Sequence, residues 1–156
     1  DVYKRQARYW LRYRFDVKEV SEFMPLGLIM DTIEVSVGWS RAASLYYEVI
    51  DAIRSVEGTV VAYAHASHFY QQGVCWYFIF AGLPKNKSIE EYYGEVWDSV
   101  MRTTLRFGGA ISHHHGVGRL RSKWLRVGIG EGAYEVLRRL KMSIDDKNIM
   151  NRGLWW

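Results

Sequence analysis

The feature that most constrains the fold is a change of hydrophobic period near residue 39. Residues 28–39 alternate: Ile33, Val35 and Val37 are apolar, and Glu34 and Ser36 are polar. This is the pattern of a β-strand with one buried face. Further on, the apolar residues recur at helical spacing: Leu45, Val49, Ile50, Ile53 and Val56. We therefore predict a strand that leads into an amphipathic helix, with Ser40 as its N-cap and Gly58 at its end.

More strands and helices follow this first pair. Residues 59–69 and 74–81 predict two strands joined by a Gln-Gln-Gly turn, and Ser88 is placed to cap a long helix that ends near Phe107. The remaining segments are shorter: a strand at 109–112, helices near 123–127 and 132–141, a turn-like tail from Asp145, and either a helix or an extended arm at 7–20.

This order of elements predicts an α+β fold. Strand, helix, strand, strand, helix, strand is the order of a split β-α-β arrangement, which is a ferredoxin-like antiparallel sheet with helices on one face. The other face of such a sheet must meet solvent, a partner domain or a ligand.

The composition is that of one globular domain. Apolar residues make up 49% and charged residues 24% of the 156 residues, enough for a substantial core. The formal net charge of +4 is compatible with an anionic ligand but too small to indicate nucleic-acid binding. Cys75 is the single cysteine, so an internal disulfide is excluded. We expect a cytoplasmic protein, with peripheral membrane association as the alternative.

The first residues of the chain raise a separate question. Residues 1–6, DVYKRQ, are what a transposon end sequence used to prepare sequencing libraries would encode. We interpret them as an adapter-derived scar and residues 7–156 as the natural domain. The alternative is a genuine basic N-terminus. The scar interpretation predicts a longer natural protein of which this domain is the C-terminal part.

Three consecutive histidines form the chemically most conspicuous stretch. His113, His114 and His115 lie between glycines, in the sequence GGAISHHHGVG. Histidine is suited to proton transfer near neutral pH, and the flanking glycines let a ligand approach closely. Arg119 and Arg121 follow and can bind phosphate or carboxylate. The residues thus indicate acid/base groups beside anion binders, although a solvated turn remains the simpler alternative.

A zinc site is the rival chemistry for these histidines. His65 and His68 form an H-x-x-H pair, and five histidines in total could supply ligands. However, no cysteine pair or acidic ligand is spaced with them, and a strand would point His65 and His68 to opposite faces. We therefore expect no metal.

Three segments resemble one enzyme family. They are GGAISHHHGVGRLRSKWL at 108–125, SHFYQQGVCWYF at 67–78, and DDKNIMNRG at 145–153. They are similar to the C-terminal cap domain of the alkyldihydroxyacetonephosphate synthases, which belong to the FAD-linked oxidases of the vanillyl-alcohol oxidase superfamily. The resemblance runs from about Trp10 to the end of the chain.

The resemblance implies a reaction and a set of site residues. The family's synthases use FAD, without net redox, to exchange the acyl group of acyl-dihydroxyacetone phosphate for a long-chain alcohol in ether lipid synthesis. By resemblance, the catalytic residues are His113, His114, His115 and Tyr77, with His114 and His115 as the working pair. Substrate-binding candidates are Arg119, Arg121, His68 and Arg14, and cofactor-binding candidates are Asn151 and Gly116.

The resemblance also implies partners. The family's FAD-binding domain lies N-terminal to the cap, so we expect that domain to be the main partner and to bind most of the FAD. The substrate would be small and phosphorylated or carboxylated, or a lipid, with no nucleic acid; a homodimer is left open. By itself the chain should be inactive.

One departure from the family pattern leaves other functions open. The synthases carry a substrate-binding arginine just before the first strand, and residues 23–31, FMPLGLIMD, contain none. An FAD-dependent oxidase or dehydrogenase of a 2-hydroxy acid or alcohol, like glycolate oxidase or D-lactate dehydrogenase, is therefore the alternative. A non-enzymatic, anion-binding α+β module is the third possibility.

Overall fold

The computed structural model describes residues 2–15 and 22–154, which form five α-helices and a three-stranded antiparallel sheet. The elements are α1 (Val2–Tyr13), β1 (Ile29–Gly38), α2 (Trp39–Ser55), β2 (Thr59–Phe69), β3 (Gly73–Gly82), α3 (Ile89–Arg106), α4 (Gly118–Ile129) and α5 (Glu131–Ile144). A short 3-10 helix, Met24–Leu26, precedes β1. The segment at 7–20, predicted as a helix or an extended arm, begins inside helix α1, and its residues 16–20 lie outside the described part.

The sheet is antiparallel, as predicted. Strand β3 lies in the centre, between β1 and β2. A single antiparallel bridge from Ala110 to Ser36 adds a fourth position at the outer edge of β1. The α+β fold is confirmed, but the predicted strand at 109–112 is wrong beyond this bridge. After Ala110 the backbone departs from β1, because Ile111 is buried in the core and the Ser112 hydroxyl donates to the Glu34 carboxylate, 2.8 Å away.

One face of the sheet is covered by α2 and α3. Ile33, Val35 and Phe78 point to this face and are fully buried. They pack in one cluster with side chains of the two helices, among them Leu45, Val49, Ile53, Val96 and Val100. Full burial of one such side chain contributes about 1.5–3 kcal/mol. The alternation seen in the sequence therefore determines which face of β1 forms the core.

The helix starts confirm one predicted cap and correct another. Ser88 caps α3 in a capping box, because its Oγ accepts the Glu91 N–H at 3.1 Å and the Glu91 carboxylate accepts the Ser88 N–H at 2.8 Å. Ser40 is not a cap, because α2 already begins at Trp39. The Trp39 N–H donates to the Gln72 carbonyl in the β2–β3 turn instead, at 3.3 Å.

The other predicted helix bounds differ in length. Helix α2 ends at Ser55, and Gly58 lies in the turn that leads to β2. Helices α4 and α5 are longer than predicted, and residues 145–154 of the tail form turns without helix or strand, as expected. Across residues 2–15 and 22–154, none of the helices combines the length and apolar character needed to cross a membrane.

Two glycines provide a matched test of the packing. A Cβ on Gly73 would lie 2.1 Å from the Val37 carbonyl oxygen, whereas a Cβ on Gly94, inside α3, would have no neighbour within 4 Å. Because the clash at Gly73 is with backbone, no side-chain rotation relieves it. We expect Gly73→Ala to lower the free energy of unfolding by about 1–3 kcal/mol or more. Gly94→Ala should raise it by about 0.5–1 kcal/mol, since alanine favours a helix.

Urea unfolding of both variants and of the wild-type chain measures these changes. Equal effects of the two substitutions would contradict the close approach of β1 and β3 at Gly73.

Candidate active site

A row of three side chains crosses the open face of the sheet. Tyr77 on β3 pairs directly with Glu34 on β1 and with His65 on β2. Paired residues of neighbouring strands point to the same face. The imidazole of His65 stacks on the Tyr77 ring with 5.2 Å between centroids. The predicted orientation of Tyr77, away from the core side chains Trp76 and Phe78, is therefore confirmed.

The histidine loop, defined here as residues 112–116, lies over this row. The phenol oxygen of Tyr77 is 2.6 Å from Nε2 of His115, a short hydrogen bond in which the tautomer of His115 decides the donor. Nδ1 of His114 is 3.0 Å from Nδ1 of His113, and the rings of His114 and His115 meet edge to face at 4.5 Å. The structure thus brings together all four residues that the resemblance implied as catalytic.

The carboxylate of Glu34 holds this loop from below. Its two oxygens accept three hydrogen bonds, from the Ser112 hydroxyl at 2.8 Å and from the backbone N–H groups of His113 at 2.7 Å and His115 at 3.0 Å. Glu34 is completely buried. Burial alone would raise the pKa of its carboxyl, but these hydrogen bonds and the charge of Arg121 outweigh burial and lower that pKa below its ordinary value.

Glu34 is the functional residue that the sequence analysis missed. Strand alternation correctly predicts that Glu34 lies on a polar face, but the histidine loop covers that face. The β1–β3 pairing sets this carboxylate beside the candidate tyrosine, but the sequence analysis predicted no strand pairing that would have shown it. The loop that buries it could not be inferred from local pattern.

Arg121 lies beneath the same loop. Its guanidinium is 5% exposed, donates from Nη1 to the Gly116 carbonyl at 2.9 Å, and places Nη2 3.5 Å from Glu34. Its charge also lies over the Trp97 ring, 5.0 Å from the centroid. In this structure Arg121 therefore pairs with protein groups, and substrate binding by Arg121 stays a prediction.

His68 reaches the site by an irregularity in β2. The pairing register shifts between Ser67 and Phe69, and His68 has a left-handed backbone with φ of 52°. Its ring lies 5.1 Å from that of His113 and 4.7 Å from that of His114. The expectation that His65 and His68 point to opposite faces is therefore wrong, because the bulge turns His68 back toward the open face.

This placement also weakens the argument against a metal. One ligand atom from each of four residues, His68, Cys75, His113 and His114, lies within 4.8 Å of the others. Imidazole and thiolate are the ligands that zinc prefers. Metal analysis of the purified chain is the direct measurement.

The remaining candidates lie at the margin of the site or apart from it. Arg119 is exposed and donates to the Arg152 carbonyl at 3.0 Å. Gly116 has φ of +75° and open space where a Cβ would lie, and Asn151 lies exposed in the C-terminal turn. Arg14 follows α1, where its guanidinium lies over the Trp10 and Phe15 rings. Their predicted contacts with substrate or cofactor stay predictions.

The arrangement is suited to moving protons. A neutral imidazole can accept a proton from carbon or oxygen, and a phenol can donate to an oxygen that gains negative charge. Tyr77 and His115 share a hydrogen bond, so a proton can pass between them without solvent. The three loop imidazoles are partly or fully exposed and can meet a ligand above the sheet.

Cys75, on the same face, gives a test of burial at this site. Its thiol is fully buried, and desolvation together with the charge of Glu34 raises its pKa from 9.0 to about 11. At pH 8 only about one thiol in a thousand would then be ionised, against about one in ten in the unfolded chain. We expect alkylation by iodoacetamide to be at least ~100-fold slower in the folded than in the urea-unfolded chain.

The raised pKa also predicts a pH effect. Between pH 9 and 11 the unfolded chain loses the thiol proton while the folded chain keeps it, so this contribution to stability is present below pH 9 and is lost as the pH rises. The free energy of unfolding should therefore fall more steeply in the wild-type chain than in Cys75→Ala. Parallel pH profiles, or rapid alkylation of the folded chain, would show that the thiol is accessible.

Known proteins share this fold and sequence pattern. The family described as FAD linked oxidases, C-terminal domain, matches residues 3–154. An uncharacterized FAD-linked oxidoreductase, YgcU, of Escherichia coli K12 is 32% identical over 130 residues, which are 78% of this chain and 27% of that protein. The alkyldihydroxyacetonephosphate synthase of Dictyostelium discoideum is 31% identical over 148 residues, 91% of this chain and 24% of that protein.

Solved structures agree with the sequence comparison. A structure of an alkyldihydroxyacetonephosphate synthase superposes with a TM-score of 0.58 at 25% identity, over 92% of this chain and 24% of that one. The chain thus spans about a quarter of the length of these relatives. Because the family match covers nearly the whole chain, and the sheet and its helices agree with it, the chain belongs to the FAD-linked oxidases and is their C-terminal domain.

Proposed function

We propose that this chain is the substrate-binding part of an FAD-dependent enzyme that replaces the acyl group of acyl-dihydroxyacetone phosphate by a long-chain alcohol. The observation that carries the proposal is the hydrogen bond between Tyr77 and His115, set within a run of three histidines. The similarity to alkyldihydroxyacetonephosphate synthases over most of the chain supports it. The FAD-binding domain, residing on another part of the natural protein, is proposed as the main partner.

The residues of the chain can supply the proton transfers of this exchange. The substrate must lose a proton from the carbon between its carbonyl group and its ester oxygen, and its acyl group must leave as a carboxylate. His115, neutral at Nε2, can accept the proton, and Tyr77 can donate to the departing carboxylate oxygen. The incoming alcohol then gives its own proton to the Tyr77 phenolate, and the His115 imidazolium returns its proton to the carbon, so both residues end in their starting state.

The open face is compatible with a flavin. FAD, when bound, supplies the electron-accepting ring system on which the chemistry of the family depends. Gly116 leaves open space at the loop, so a flat ring can approach the imidazoles closely. Tyr63 and Val61 are exposed on the same sheet face and offer apolar surface to a partner domain. Arg119 is the exposed cation proposed to meet the phosphate of the substrate.

Two substitutions in the full-length enzyme test the proposed roles. Tyr77→Phe and His115→Gln should each lower kcat by about 100-fold, the usual effect of losing an acid/base group. The assay measures incorporation of a labelled long-chain alcohol into the ether product. Tyr47→Phe is the matched control, because Tyr47 is exposed on α2 and should leave kcat unchanged. Normal turnover of Tyr77→Phe would remove the phenol from the mechanism.

An oxidoreductase is the second candidate. Two observations favour it: the similarity to YgcU, and the lack of an arginine in residues 23–31. In that function His115 would take the hydroxyl proton of a 2-hydroxy acid or alcohol, and FAD, when bound, would supply the electron-accepting chemistry of the oxidation. Anaerobic loss of the yellow flavin absorbance on adding the hydroxy acid, without alcohol incorporation, would favour this candidate. If neither alcohol incorporation nor flavin bleaching is observed, the non-enzymatic, anion-binding module is the remaining hypothesis.

The isolated chain of residues 1–156 gives a further prediction. Since the family's relatives are about four times longer, we propose that most contacts to FAD lie outside this chain. We expect the purified chain to be colourless and inactive. Yellow protein with one flavin per chain would contradict this and would place the cofactor site on the open face alone.

The location and the oligomeric state of the enzyme also belong to the proposal. We propose a cytoplasmic enzyme, or one bound peripherally to a membrane that supplies its long-chain alcohol, without a role for nucleic acid. Sedimentation of the full-length protein decides whether it is a homodimer.

A further inference from the structure

We propose that Glu34 and Arg121 form a pair of positioning residues that hold the histidine loop at both ends. Neither side chain is given a role by the comparisons. The effect on turnover rests on the proposed function, whereas the effect on the loop can be measured without it. The two side chains carry opposite charges: Glu34 accepts backbone N–H groups of the loop, and Arg121 donates to one of its backbone carbonyls.

The negative end of the pair binds the start of the loop. The Glu34 carboxylate accepts the N–H groups of His113 and His115 and the hydroxyl of Ser112, at 2.7 to 3.0 Å. Hydrogen bonds to a charged acceptor are stronger than those between neutral groups. A glutamine cannot replace this carboxylate, because one of its two end groups is a donor and would face a donating N–H.

The positive end of the pair binds the end of the loop. Nη1 of Arg121 donates to the Gly116 carbonyl at 2.9 Å, and its neighbour Nη2 lies 3.5 Å from the Glu34 carboxylate. Both side chains are at least 94% buried, so solvent does not weaken their attraction strongly. The pair therefore joins β1, the loop and α4 at a single point.

This arrangement explains how exposed histidines can be precisely placed. His114 and His115 are exposed, so the packed core does not hold their rings. The backbone that carries them is bound to buried charges instead. The position of Nε2 of His115 opposite the Tyr77 hydroxyl then depends on Glu34, although Glu34 itself is fully buried beneath the loop. A displacement of about 1 Å is enough to reduce catalysis about 100-fold.

A purely structural role is the competing explanation. Buried ion pairs often add little to stability, and their loss destabilises the whole domain rather than one loop. The two explanations differ in what changes: the positioning role predicts a local change at the loop and in kcat, and the structural role predicts only a lower unfolding temperature. The test must therefore observe the loop and the core separately.

The experiment compares Glu34→Gln with Glu48→Gln in the 156-residue chain by NMR. Glu48 makes an exposed ion pair with Arg106, so its substitution is the same chemical change outside the site. In Glu34→Gln we expect the amide proton signals of His113 and His115 to move upfield, because their hydrogen bonds to a carboxylate are lost. The Tyr77 and His115 ring signals should move with them, while the methyl signals of core residues Leu45 and Ile53 stay in place.

Kinetics of the full-length enzyme complete the test. Glu34→Gln should lower kcat between about 10- and 100-fold and change KM less than about threefold, since the substrate contacts are retained. Glu48→Gln should change neither. If Glu34→Gln leaves the loop signals and kcat at wild-type values, or moves loop and core signals together, the positioning role is wrong.

A milder variant keeps the proposal testable if Glu34→Gln does not fold. Ser112→Ala removes one of the three hydrogen bonds to Glu34 without touching the charge. It should shift the same two amide signals by a smaller amount, and unmoved signals would overturn the proposal. If the wild-type enzyme fails to incorporate alcohol, the proposed function fails, but the NMR comparison still decides the role of Glu34.

Discussion

The hydrogen bonds that the Glu34 carboxylate accepts are the interaction on which the rest of the site depends. They connect the sheet, where Tyr77 and His65 lie, to a loop that is 78 to 81 residues further along the chain. A carboxylate in a fully buried position is unfavourable unless its oxygens are satisfied. Here three donors and a guanidinium satisfy it. The cost of burying the charge is thereby offset by the contacts that shape the site.

The two faces of the sheet divide core packing from chemistry. Because side chains alternate along a strand, each residue of β1 or β3 serves either the core or the site. Phe78 packs against the helices, and its neighbour Tyr77 meets His115. The candidate acid/base groups can therefore be set on a rigid, well-packed element without weakening the core, and the histidine loop adds the remaining groups.

Much of the fold followed from local pattern. The three strands, the helix cap at Ser88 and the open face with Tyr77 were all predicted, because periodicity and turn residues act over short distances. The cap assigned to Ser40 was wrong, since the β2–β3 turn already satisfies the Trp39 N–H. The bulge at His68 was also unexpected, because residues 64–70, AHASHFY, contain no glycine or proline that would indicate a register shift.

The sequence by itself determined the order of the elements, the face of the sheet that forms the core and the presence of a histidine run beside glycines. These follow from hydrophobic period, turn chemistry and residue identity. Only the tertiary structure decided that Glu34 is buried, that Arg121 pairs with it and that His68 faces the loop histidines. Each depends on contacts between segments far apart in the chain, and no local pattern records which segment will cover a strand.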